Sequence, residues 1–173
     1  MNALIDTSQL TEKPSWPEAN IEEIVFFALE QMEAPQNCEV SVTLVDTPRI
    51  AELNAEFRGI DRPTDVLSFP CDDPWEEGAE EADELMIGDI VIAPAVCAAQ
   101  APTYGNTFDE EMCMLFVHSV LHLLGYDHIE DEDAEEMQAE ERRIITAWRA
   151  HKGLPEREDV LGYARAGQEA DHA

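Results

Sequence analysis

The stretch that most restricts the fold of this 173-residue chain is "TFDEEMCMLFVHSVLHLLG", residues 107–125. Thr107 and Glu110 have the spacing of a capping box at a helix N-terminus, and Gly125 provides the C-terminal exit. Between these ends, apolar residues fall on every face of the helix, which is typical of a helix buried all round. With 45% hydrophobic residues the chain can form a core around it. The sequence therefore predicts a central buried helix.

The residues before this helix predict an amphipathic helix and a strand. The helix begins near Pro17, because apolar residues from Ile21 to Met32 recur at helical spacing. The segment "CEVSVTLVD", residues 38–46, alternates apolar and polar side chains, as a half-covered strand does.

A second amphipathic helix is predicted over residues 48–57. Thr47 and Pro48 fit the N-cap and first helical positions, and Gly59 fits the stop. Its core face is expected to consist of Ile50, Leu53 and Phe57.

The remaining elements follow from the same patterns. "DVLSFP" (65–70) is a short strand, and "LMIGDIVIAP" (85–94) is too apolar for a one-sided strand, so it is expected at the centre of a sheet. A short helix follows Pro94. The last helix spans about 131–152, with its acids outward and these residues inward: Ala134, Met137, Ile144, Ile145 and Trp148.

Together these elements predict an α+β fold: a small mixed β-sheet covered by helices, with a buried central helix carrying two histidines. A single domain is expected over residues 1–155 and a flexible C-terminal tail over 156–173. No apolar run reaches the roughly 18 residues of a membrane helix, and the first residues lack the basic region of a secretory signal.

The four cysteines are scattered along the chain and form no C-x-x-C pair. Free thiols in a reduced cytoplasm fit this usage better than a disulfide framework. A cytoplasmic location is therefore expected. The cysteines are Cys38, Cys71, Cys97 and Cys113.

The stretch "HSVLHLLGYDH", residues 118–128, holds three of the five histidines in the chain. His118 and His122 are four residues apart, so their rings share one helix face, and the turn at Gly125 lets His128 return to the same point. Burying three unpaired imidazoles would be costly, and a bound metal ion removes most of that cost. Three nitrogen ligands with an open fourth position are typical of a catalytic zinc site.

The histidine spacing is that of the metzincin peptidases, with one important departure. Those enzymes place a glutamate directly after the first histidine to act as general base. Here that residue is Ser119. Because serine does not take a proton from metal-bound water at neutral pH, peptide hydrolysis by that route is disfavoured.

Two more motifs, "LNAEFRGIDRPTDVLSFP" (53–70) and "IGDIVIAP" (87–94), accompany the histidine motif. Together the three closely resemble the YbeY family of bacterial endoribonucleases, over residues 20 to 152. The resemblance implies a single-strand-specific, metal-dependent endoribonuclease in ribosomal RNA maturation, notably at the 3′ end of the small-subunit RNA, and in ribosome quality control.

The resemblance also implies roles for four residues. His118, His122 and His128 correspond to the metal ligands of the family, and Arg58 to its other functional residue. One Zn²⁺ ion suits three histidines best, although another divalent transition metal would fit. From the residues alone, Arg58 is equally well explained as a phosphate-binding group or as a cation that stabilises the helix C-terminus.

The net charge of −29, from 10 basic and 39 acidic residues, opposes long-range attraction to nucleic acid. Eight acids lie in residues 72–84 and eight in 130–141. The resemblance implies ribosomal RNA on the small ribosomal subunit as the partner, and the acidic surface favours docking on basic ribosomal proteins. No DNA or membrane partner is expected. The alternatives are a non-catalytic acidic assembly factor with a structural zinc and, less favoured, a metallopeptidase.

Overall fold

A four-stranded mixed sheet forms the framework of the molecule in the computed structural model, which describes residues 1–12 and 16–157. The strands are β1 (Asn2–Asp6), β2 (Cys38–Leu44), β3 (Val66–Pro70) and β4 (Leu85–Ile92). Their order is β1-β2-β4-β3, with β3 antiparallel to β4 and the other pairs parallel. The predicted mixed sheet is confirmed, with β4 inside it. Strand β1 was not predicted.

Five α-helices accompany the sheet in the described part of the chain. Short 3₁₀ turns at Ala79–Glu81 and Ala101–Tyr104 complete the regular structure. The helices are α1 (Glu18–Gln31), α2 (Thr47–Arg58), α3 (Pro94–Gln100), α4 (Phe108–Leu123) and α5 (Asp131–His151).

The two faces of the sheet bury two separate apolar cores. Consecutive residues of a strand point to opposite faces, and Val66 belongs to the main core whereas Leu67 belongs to a smaller one. The main core is formed with α1, α4 and α5, and the smaller one includes Ile50 of α2. The sheet is therefore covered on both faces, which confirms the predicted α+β architecture.

Helix α4 lies at the centre of the main core. Every residue from Glu111 to Leu123 is buried, and α4 contacts α1, α3, α5, β3 and β4. Its capping box is formed: Glu110 N donates to Thr107 Oγ1 (3.2 Å), and Thr107 N donates to Glu110 Oε1 (3.0 Å). The central buried helix predicted from residues 107–125 is thus confirmed.

Two predictions about α2 were wrong. The N-cap is Asp46 rather than Thr47, so the helix begins one residue earlier than expected. Phe57 was assigned to the core, but its side chain is 57% exposed. The smaller core ends at Phe69, and Phe57 packs edge-to-face on that ring with centroids 5.0 Å apart. Phe57 thus packs against Phe69 and leaves more than half of its surface exposed.

The described helices differ from a membrane span in length or hydropathy, and the described residues end at 157. None of the helices within residues 1–12 and 16–157 has the length and hydropathy needed to cross a bilayer. Residues 158–173 lie outside the described residues, so the division into a domain over 1–155 and a flexible tail over 156–173 stays a prediction.

Gly88 of β4 marks a close approach between the sheet and α4. A Cβ atom at this position would lie 2.5 Å from the carbonyl oxygen of Phe69 and 2.5 Å from Cδ2 of Leu123. Gly88 pairs with Pro70 of β3, next to Phe69. The missing side chain therefore lets α4 and the edge strand β3 meet.

We expect Gly88→Ala to destabilise the protein by roughly 2–4 kcal/mol, because the new methyl group must displace backbone as well as a side chain. Urea unfolding followed by circular dichroism measures the change. Gly78→Ala is the matched control, since its Cβ would meet nothing within 4 Å. Equal stability losses in the two variants would contradict the close approach.

Candidate metal centre

Three histidine side chains converge at the C-terminal end of α4. His118 and His122 lie one helical turn apart, and a turn at Gly125, whose φ is 101°, returns the chain so that His128 joins them. The imidazole centroids are 4.5, 5.5 and 5.1 Å apart for the 118–122, 118–128 and 122–128 pairs. One ring nitrogen from each histidine lies within 4.8 Å of the others. The convergence expected from the spacing is thus present.

The orientation of the His122 ring follows from one hydrogen bond. Its Nδ1 lies 2.9 Å from the carbonyl oxygen of Tyr126. A carbonyl oxygen only accepts hydrogen bonds, so Nδ1 carries the proton and donates. In neutral imidazole, Nε2 then carries a lone pair.

The His118 ring is held in the same way by a buried carboxylate. His118 Nδ1 lies 2.6 Å from Glu141 Oε1, and both side chains are at most 2% exposed. The carboxylate accepts the Nδ1 proton, which leaves the lone pair of His118 on Nε2.

Glu141 was missed by the sequence reasoning, which placed the acids of the last helix outward. That prediction was wrong at this position, because Glu141 is 1% exposed and lies in the contact between α5 and α4. A signal did exist: residue 141 is four positions after the buried Met137 and three before the buried Ile144. An acid inside an apolar stripe needs a polar partner, and here that partner is His118.

The three ring nitrogens fit a cation. His118 Nε2 and His122 Nε2 are 3.1 Å apart. His128 Nε2 is buried and finds no hydrogen-bond partner among the described residues. Zinc–nitrogen bonds of about 2.0–2.1 Å in a tetrahedron would place nitrogens roughly 3.3 Å apart. The 118–122 spacing therefore suits a zinc-sized ion.

A structural zinc site would need a fourth protein ligand. In the part of the chain that the structure describes, the group of converging ligand atoms comprises the three histidines. Burial raises the pKa of the Cys113 thiol to about 12, so the thiol stays protonated at neutral pH. Asp127 Oδ1 accepts a hydrogen bond from Ile129 N and caps the turn. Neither side chain belongs to the group, so the arrangement resembles the open catalytic type of site.

A cleft of about 180 Å³ opens beside the histidines at the edge strand β3. His118 and His122 line it from α4, and Arg58 lines it from the last residue of α2. The structure thus brings Arg58 into the same cleft as two of the histidines. The other lining residues are Phe57, Val66, Leu67, Ser68 and Phe69.

A larger cavity of about 430 Å³ lies elsewhere, between α1, α4 and α5. It shares no lining residue with the histidine cleft. Its cations are already engaged: Arg149 and Arg157 bond to Glu110, and Lys152 bonds to Glu23. The smaller cleft therefore holds the chemically distinctive groups.

Two other polar residues, Asp65 and Arg143, have structural contacts. Asp65 accepts hydrogen bonds from Val66 N and from Gln100 Nε2, at 2.7 Å each, so it joins the start of β3 to α3. Arg143 Nε pairs with Glu140 Oε2, three residues earlier on α5, at 2.7 Å.

The fold and the cleft define an α+β protein with a three-histidine candidate metal centre beside a cleft that an arginine also lines. The family model described as Endoribonuclease YbeY matches residues 5–149. The chain belongs to the YbeY family.

Curated relatives support this assignment over most of their length. The chain is 46% identical over 129 residues to the Endoribonuclease YbeY of Salinispora tropica, which covers 71% of this chain and 82% of the relative. It is 41% identical over 152 residues to that of a Thermoanaerobacter species, covering 84% and 96%.

A solved structure has the same fold. The solution structure of TM1509 from Thermotoga maritima aligns with a TM-score of 0.56 at 29% identity. The alignment covers 91% of this chain and 98% of the other.

We expect Glu141→Gln to weaken zinc binding by roughly 10- to 100-fold, because an amide holds the His118 tautomer less firmly than a carboxylate does. Competition with a chromophoric chelator measures the affinity. Glu135→Gln, an exposed change on the same helix, is the control. Equal zinc affinities in both variants, with both folded, would contradict the role of Glu141.

Proposed function

We propose that this protein is a single-strand-specific, metal-dependent endoribonuclease that acts on ribosomal RNA. The observation that carries the proposal is the convergence of three histidine ring nitrogens beside a cleft that Arg58 lines together with His118 and His122. The names of the relatives, Endoribonuclease YbeY, support RNA as the substrate. We further propose maturation of the 3′ end of the small-subunit RNA, and ribosome quality control, as the cellular tasks.

The metal ligands in this proposal are His118, His122 and His128. Zn²⁺ is the ion that three neutral imidazoles suit best, with another divalent transition metal as the alternative. When bound, such an ion supplies a Lewis acid for a phosphoryl oxygen and an acidified water molecule. Glu141 and the Tyr126 carbonyl hold two of the rings so that Nε2 faces the ion.

Arg58 is proposed to bind the scissile phosphate. Its guanidinium stays charged at every physiological pH and can form two parallel hydrogen bonds to phosphate oxygens. The position of Arg58 at the C-terminus of α2 also suits the helix dipole. The cleft that it shares with His118 and His122 favours the role in chemistry.

Two rival functions have less support. An acidic assembly factor with a structural zinc calls for a fourth protein ligand, and Cys113 and Asp127 do not join the histidine group. A peptidase needs a base after the first histidine, where the chain has the buried Ser119. Assays of casein and single-stranded RNA side by side distinguish the peptidase from the nuclease.

The acidic surface leads us to propose that the RNA is presented on the small ribosomal subunit in the cytoplasm. A net charge of −29 supplies little phosphate neutralisation. Basic ribosomal proteins are the complementary docking partners, and the exposed acids of residues 72–84 and of α5 are the available surface.

Arg58→Ala is expected to lower kcat/KM on single-stranded RNA by roughly 100-fold or more while zinc content stays unchanged, because it removes a charged contact to the reacting phosphate. Cleavage of a fluorogenic oligoribonucleotide and metal analysis by mass spectrometry measure the two quantities. Arg49→Ala, at the other end of α2, is the charge-matched control. Lost zinc in a folded Arg58→Ala protein would contradict the assigned role.

The decisive experiment replaces one ligand in the cell. We expect cells that carry His122→Ala to accumulate small-subunit RNA with extended 3′ ends, and the purified variant to lose its metal. Ribosomal RNA end-mapping measures the first effect. Mature ends in cells that depend on the variant would refute the maturation role, whereas a retained metal would refute the ligand assignment.

A further inference from the structure

An exposed phenylalanine stands beside the proposed phosphate-binding arginine. Phe57 precedes Arg58 in α2, and both side chains line the histidine cleft. Phe57 is 57% exposed, so more than half of its surface is open to a ligand in this cleft.

The Phe57 ring is supported from one side. The edge-to-face contact with Phe69 has a centroid distance of 5.0 Å and an interplanar angle of 65°. Phe69 is itself half-buried and packs against the smaller core. An aromatic ring held by a second ring offers its remaining surface without a large loss of side-chain freedom.

The charge of the protein indicates what kind of contact RNA affinity needs here. Phosphate contacts usually dominate the affinity of proteins for nucleic acids, but 39 acids against 10 basic residues leave little of that attraction. Stacking of a base on an aromatic ring adds affinity without any positive charge, and it tolerates every base. An exposed aromatic ring in this cleft offers an RNA contact that does not depend on positive charge.

We propose that Phe57, backed by Phe69, stacks against an unpaired nucleobase next to the phosphate that Arg58 holds. This inference rests on the proposed ribonuclease function and adds a substrate-binding residue to it. A base in a duplex has both faces covered by its neighbours, whereas an unpaired base can leave the strand and lie on the ring. Phe57 then contributes to the preference for single strands.

The first test compares variants of Phe57 on a short single-stranded oligoribonucleotide. Phe57→Ala is expected to raise KM about 10-fold with kcat nearly unchanged, because the stack forms equally in the bound and transition states. Phe57→Tyr should keep the wild-type KM, and Phe57→Leu should behave like Phe57→Ala. A wild-type KM in Phe57→Leu would show that bulk alone matters and would overturn the stacking.

The second test removes the base instead of the ring. After the cut is mapped by mass spectrometry, abasic sites are introduced one at a time beside it. At one position, the abasic site should raise the wild-type KM about 10-fold and leave the KM of Phe57→Ala unchanged. If the abasic site raises the KM of Phe57→Ala as much as that of the wild type at every position, then Phe57 contacts no base.

A matched control separates stacking from the loss of any exposed apolar group. Leu4 is 50% exposed and lies on β1, at the opposite edge of the sheet from β3. Leu4→Ala should leave KM and kcat unchanged. The melting temperature of each variant establishes that the protein is folded.

The outcomes distinguish the two proposals. If the zinc-loaded wild type cleaves single-stranded RNA and Phe57→Ala has the KM of Leu4→Ala, the stacking role is refuted and the ribonuclease remains. If the wild type cleaves neither the oligoribonucleotide nor the RNA of isolated small ribosomal subunits, both fail.

Discussion

The contact on which the candidate centre depends is the hydrogen bond between His118 Nδ1 and Glu141 Oε1, 2.6 Å long and buried. It joins α4 to α5 in the middle of an apolar core, where an unpaired carboxylate or imidazole would cost several kcal/mol. It also fixes which nitrogen of His118 faces the other two rings. A single contact thus contributes to helix packing and sets the chemistry of the site, as the Tyr126 carbonyl does for His122.

Much of the fold follows from local patterns, and the exceptions have physical causes. The buried α4 and its capping box could be predicted because an apolar surface on every side leaves a helix no other place than the core. Strand β1 could not be predicted, because its five residues "NALID" have polar ends and are too few to show an alternating pattern. Phe57 was misassigned because a helical stripe predicts which face points inward but not where the neighbouring core ends.

The candidate site likewise contains residues that the sequence predicted and residues that it did not. The convergence of the three histidines could be predicted because they lie within eleven residues of one helix and its turn. Glu141 is one of eight acids in residues 130–141. The sequence of this acidic run did not distinguish the one carboxylate that points inward from those that point outward. The nearness of Arg58 depends on strand β3 lying at the sheet edge between α2 and α4, and no local pattern contains that information.

The cleft assembles groups of very different separation along the chain, and this has a consequence for when the protein becomes active. The three histidines come from the end of α4 and one turn, whereas Glu141 comes from α5 and Arg58 from α2, which lines the cleft beside the edge strand β3. The histidine motif alone is therefore an incomplete site. In the proposed enzyme, cleavage is a property of the finished tertiary structure, in which α2 supplies the guanidinium and α5 the carboxylate.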